Sequence, residues 1–110
     1  MEFLKNILPE TPVRLTDLIS VRDGQIVSMA LSRVENAQVA LFALSASEMV
    51  SEEAYWGDTL YVVLSGELVV EKDQTRHIVS AGEMMAMPAH TGHALRADKD
   101  TKMLQITLNT

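Results

Sequence analysis

Gly82-Glu83-Met84-Met85-Ala86-Met87-Pro88-Ala89-His90-Thr91-Gly92-His93 is the stretch that decides the fold. Ala81-Gly82 turns the chain, an apolar run follows, and Pro88 stops that run because proline cannot donate to a β-ladder. A short loop then delivers His93 to the start of another run, 93–97. Glycine turn, strand, proline stop and histidine at this spacing describe one rim of a closed sheet, with a chemically useful side chain at its mouth. Upstream, Asp58-Thr59-Leu60-Tyr61-Val62-Val63-Leu64-Ser65-Gly66-Glu67 is a second strand entering a tight glycine turn.

The same alternation extends in both directions. Within 25–33, Val27, Met29 and Leu31 alternate with Ser28 and Ser32, the period of a half-buried strand. Asp23-Gly24 precedes it as a turn, and Val34-Glu35-Asn36 reverses the chain into 37–46. There Val39, Leu41 and Ala43 alternate with Ala40, Phe42 and Leu44, so both faces are apolar and the strand is expected to be central. Ser51, Glu52 and Glu53 read as a polar loop. Runs at 60–64 and 67–71 flank Ser65-Gly66, and Asp73-Gln74 turns the chain into 76–79, where His77 beside Arg76 reads as a surface residue. The last run, 102–108, follows Asp98-Lys99-Asp100 and sets Leu104, Ile106 and Leu108 against Met103, Gln105 and Thr107. Many short strands without an amphipathic helix predict an antiparallel barrel or sandwich. Met1 to Leu18 stands apart. Phe3, Leu4, Ile7 and Leu8 have near-helical spacing, but Pro9 and Pro12 end any helix early, leaving a short turn or edge strand. The expected division is therefore 1–24, a segment lying across the barrel or a partner subunit, and 25–110, the barrel.

Composition bounds the function. At 110 residues there is room for one domain with a real core. With 47% hydrophobic and 22% charged residues the chain is globular rather than disordered. Nine basic against fifteen acidic side chains give a net charge of -6, which repels phosphate backbones and argues against nucleic acid or an anionic membrane as partner. The absence of cysteine removes disulfides and thiolate metal sites. No run approaches the roughly twenty apolar residues that span a bilayer, and the first residues lack a leader pattern, so a cytoplasmic location is expected.

Segments 58–67 and 82–93 together resemble the paired motifs of the cupin superfamily. The resemblance covers 39–108. It is strongest with small single-domain bacterial cupins of the conserved-barrel cupin 2 type, RmlC-like proteins of unassigned function, through Gly57-Asp58 and Met87-Pro88-Ala89. It implies an all-β antiparallel jelly roll, the double-stranded β-helix. In the family the second motif ends in a histidine that points into the barrel and binds a metal. Gly82, Pro88 and His93 match that motif, while His90 replaces its second glycine. The first-motif positions that hold two histidines and a glutamate fall on Glu53, Tyr55 and Thr59. A carboxylate is a competent hard ligand, so Glu53 with His93 and His90 makes up a two-histidine, one-carboxylate set suited to iron, zinc, manganese or nickel. Tyr55 and Thr59 are poor replacements. The simpler reading has His93 hydrogen-bonding inside a pocket and His90 facing solvent or capping its turn.

Two functions follow. The favoured one is a barrel that binds a small molecule in a pocket of Tyr55, Trp56, Tyr61, Met87 and His93. Met84, Met85 and Met87 share one strand and adapt to apolar ligands or fill the core. Tyr55 and Trp56 lie in a mouth loop where aromatic rings need cover or a partner. Tyr61 has the parity of Thr59 and Val63, which turns its hydroxyl toward the cavity of His93 or toward the rim. The alternative is a metal-dependent oxygenase or isomerase using Glu53 and His93. Spacing alone reveals no nucleophile elbow or phosphate loop. As a mouth residue His93 is expected to support little packing, with Met87 deeper. The apolar N-terminal segment and the habit of small cupins imply a homodimer.

Overall fold

The structure is a computed structural model describing residues 1–109, and in it the period-two runs become strands. In chain order these are β1 (Ile26–Val34), β2 (Ala37–Leu44), β3 (Met49–Glu53), β4 (Asp58–Ser65), β5 (Glu67–Lys72), β6 (Thr75–Ser80), β7 (Met84–Met87), β8 (His93–Arg96) and β9 (Thr101–Leu108). The helical content described is one turn of 3-10 helix at Leu15–Asp17. One sheet has the order β1-β2-β9-β4-β7, the other β3-β8-β5-β6, and the paired strands are antiparallel. This is the expected all-β jelly roll. β2, expected to be central, is an interior strand between β1 and β9, and the middle of the sheet is β9.

One element departs from expectation. The polar run read as a loop at Ser51, Glu52 and Glu53 is the second half of strand β3. It lies at a sheet edge and is exposed over most of its length, so its composition carries no apolar alternation to reveal it. Pairing with β8 holds it in place, with Met49 opposite Arg96 and Glu53 opposite His93.

Alternation sorts the apolar side chains into two layers. Between the sheets lie Leu44, Tyr61, Val63, Met87 and Met103 from the first sheet against Leu68, Val70, Val79 and Leu95 from the second. Each buried side chain of this size contributes roughly 1.5–3 kcal/mol by leaving water. The opposite parity on the first sheet, Leu31, Leu41 and Ala43, faces outward and is covered by Ile19, with Ile7, Leu18 and Val21 packed beside it. The N-terminal segment thus lies against the outer face of its own barrel.

That segment also engages a break in the ladder. Ala30 pairs with Ala40, yet Ser32 pairs with Val39, so Leu31 is an extra residue and β1 carries a bulge there. The Lys5 amide donates to the Leu31 carbonyl at 2.9 Å, the Asn6 side-chain amide donates to the Ala30 carbonyl at 2.7 Å, and the Ser32 hydroxyl donates to the Phe3 carbonyl at 2.7 Å. Leading into β4, Gly57 runs so close to the end of β9 that a β-carbon there would collide with the Leu108 carbonyl.

Candidate functional site

His93 opens β8 and points inward, only 3% exposed. Its Nδ1 lies 2.8 Å from the Thr91 carbonyl and its Nε2 lies 2.6 Å from the Tyr61 hydroxyl. A carbonyl only accepts, so the proton sits on Nδ1, and in the neutral ring the phenol O–H is the donor that meets Nε2. Tyr61 is fully buried at mid-strand in β4, edge-on to the imidazole with ring centroids 5.6 Å apart. Burial, and behind it the charges of Tyr55 and Glu53, raise its phenol above the ordinary range and keep it a donor. The expectation that a mouth histidine supports little packing therefore fails for His93. It is a core residue with both nitrogens engaged.

The other sequence-derived residues divide into separate groups. Glu53 is the register partner of His93 across β3 and β8, but its Oε2 accepts the Tyr55 hydroxyl at 2.8 Å. Burial raises the Tyr55 phenol too; the Gln105 amide works against that and the Glu53 carboxylate with it. His90 takes a left-handed backbone, φ 61°, and is exposed. Its ring meets Trp56 edge-on at 5.3 Å, and its amide donates to the Tyr55 carbonyl at 2.7 Å, closing the two mouth loops on each other. Trp56 itself stands 85% exposed. Met87 is buried between the sheets.

A cavity of about 270 Å³ opens beside this cluster, lined by Ser32 and Arg33 of β1, Gln38, Val39, Ala40 and Phe42 of β2, Gln105 and Thr107 of β9, and Tyr55. It adjoins the Tyr61–His93 pair, because Gln105 is the register partner of Tyr61 and the Tyr55 ring lies 6.1 Å from that of His93. Of the five pocket residues read from sequence, Tyr55 lines this cavity; Tyr61, Met87, His93 and Trp56 do not. The wall comes instead from the inner parity of β2 and β9. The alternation in 37–46 and 102–108 already set Phe42 with Ala40 and Gln105 with Thr107, so four of these residues were within reach. Arg33 was not.

A family model described as a cupin domain matches residues 48–108. The chain belongs to the cupin family. It is similar to a cupin superfamily protein from Desulfitobacterium hafniense DCB-2, at 42% identity over 97% of this chain and 98% of that one, with a TM-score of 0.93. A conserved protein of unknown function from Streptococcus pyogenes is 25% identical over 100% of this chain and 96% of its own, with a TM-score of 0.95. A mutant salicylate 1,2-dioxygenase from Pseudoaminobacter salicylatoxidans, 12% identical over 81% of this chain and 28% of its own with a TM-score of 0.69, shares the fold alone. A search of curated proteins finds no match.

Cupins often carry a metal, so the fit of these side chains to one is a chemical question. Among the described residues no three His, Asp or Glu side chains are grouped to hold an ion. Where the first motif has its glutamate, this cupin has Thr59, whose buried hydroxyl lies 3.1 Å from that of Thr107. Glu53 is turned to Tyr55, His90 to Trp56, and the Nε2 lone pair of His93 is filled by Tyr61. The donor set of Glu53, His90 and His93 does not fit a metal centre.

Proposed function

We propose that this cupin binds a small molecule in the mouth cavity and does so without a metal held by Glu53, His90 and His93. The observation that carries the reading is the Tyr61–His93 hydrogen bond. It spends the nitrogen a metal would need on an internal partner, in a buried pair beside the cavity. Small ligands usually sit in concave sites, and this one sets polar side chains of Arg33, Gln38 and Gln105 against the apolar Ala40 and Phe42. The reading assigns binding and no reaction.

The test has two arms. Metal analysis of protein purified without a metal-affinity column is expected to find iron, zinc, manganese and nickel well below stoichiometric. Near-stoichiometric metal that disappears in His93→Ala overturns the metal-free half. A fragment screen by ligand-observed NMR is expected to give hits that vanish in Ala40→Phe, which fills the cavity. Hits that persist in that variant, or none in the parent protein, overturn the other half.

Two copies of the chain are further proposed to pair through the N-terminal segment. Its inner residues pack on the barrel, but Phe3, Leu4, Leu8, Val13 and Leu15 remain exposed, Phe3 by 64% and Leu8 by 65%. That is a large apolar surface to leave against water on a chain of this size. No helix among the described residues is long and apolar enough to cross a membrane.

A further inference from the structure

We propose that the ligand of the mouth cavity is a small monocarboxylate anchored by Arg33. This rests on the cavity being a binding site and adds the chemical class of its occupant. The first support is how Arg33 comes to be there. In an unbroken ladder the inner parity of β1 runs through Ser28 and Ala30, which pair with Phe42 and Ala40, and continues to position 32. The extra residue at Leu31 reverses that order. Ser32 now pairs with Val39 and turns outward to the Phe3 carbonyl, while Arg33 pairs with Gln38 and joins the cavity wall. Bulges commonly serve to re-aim a side chain at a functional site.

The second support is what Arg33 does not touch. Arg14, Arg76, Arg96 and Lys99 each have a carboxylate within ion-pair distance. Among the described residues Arg33 has none, and neither have Lys5, Arg22, Lys72 and Lys102, but of these five it is Arg33 that lines the cavity. An unpaired guanidinium on a concave wall offers a planar fork of donors, the shape complement of one carboxylate. The third support is the rest of the wall. Phe42, Ala40 and the Tyr55 ring supply apolar cover for a short organic body, and Gln38, Gln105 and Thr107 supply neutral hydrogen bonds around it. One cation matches one negative charge; in a chain of net charge -6 a polyanion finds no further partner. At about 270 Å³ the space lies just below the roughly 300–1,000 Å³ of drug-sized sites, which limits the ligand to a small acid.

Calorimetric titration of the full chain with benzoate and hexanoate, each beside its neutral amide, tests the class. The acids are expected to bind roughly two- to fivefold more tightly than the amides, the scale of one solvent-screened ion pair. Added salt is expected to weaken the acids only, since Arg33 is exposed. Arg33→Gln, a surface substitution that leaves the core untouched, is expected to bring each acid down to its amide. Equal binding of acid and amide, unchanged in Arg33→Gln, overturns the carboxylate assignment while the cavity stands. Silence of all four probes where the fragment screen finds cavity ligands overturns it equally, and silence in both experiments takes the cavity reading with it.

Discussion

Tyr61→Phe removes one oxygen and nothing else, yet it leaves His93 Nε2 buried without its donor. An unmet buried acceptor costs about 1–3 kcal/mol, so urea denaturation at neutral pH is expected to show a loss of that size. The same hydroxyl makes stability depend on alkali. The folded protein holds the Tyr61 proton to higher pH than the unfolded chain, whose phenol ionises near pH 10. Above about pH 10 the folded state therefore binds more protons than the unfolded one, and stability falls as pH rises. Tyr61→Phe is expected to lose stability less steeply there, the residual slope belonging to Tyr55; an unchanged slope would mean that Tyr61 ionises alike in both states. Parity with Thr59 and Val63 left the Tyr61 hydroxyl two directions, the cavity of His93 or the rim. The choice was not legible, because residues 61 and 93 meet only through the packing of two sheets and no local pattern encodes that.

Strands differ in how much of themselves they bury, and β7 shows it within four residues. Met87 is 3% exposed and Met84 58%. Met87→Ala is expected to cost roughly 2–5 kcal/mol through lost burial and a residual cavity, whereas Met84→Ala is expected to stay within about 0.5 kcal/mol of the parent protein. Parallel thermal and urea melts read the difference; comparable losses would place both side chains in the core. β2, β4 and β9 were readable as apolar runs bounded by turn residues, β9 with alternation besides, because strands inside a sheet bury one face or both. β3 was missed because this edge strand sends Val50 to the core and leaves the polar Ser51, Glu52 and Glu53 exposed, so no apolar alternation marks it. Arg33 escaped for a related reason. A period of two carries no mark of where an extra residue breaks it.

Assembly is read at the scale of the whole chain. Light scattering at micromolar concentration is expected to give about twice the 12.1 kDa chain mass, and replacing Phe3 and Leu8 with serine is expected to return it to one chain mass. A monomeric parent protein would leave those side chains as ordinary surface. The bulge in β1 has its own meaning at this scale. Whether Arg33 or Ser32 looks into the mouth is a matter of phase, not of residue type: were the bulge to close with Leu31 kept, Leu31 would pair with Val39 and Ser32 with Gln38, and the arginine would face outward. Residues 3 to 6, far from the mouth in sequence, clasp that phase through the carbonyls of Ala30 and Leu31 and the hydroxyl of Ser32. The preference of the mouth for a charged guest thus hangs on a clasp outside it: a change at residues 3 to 6 that let the bulge anneal would turn the arginine away while leaving the residues of the cavity as they are.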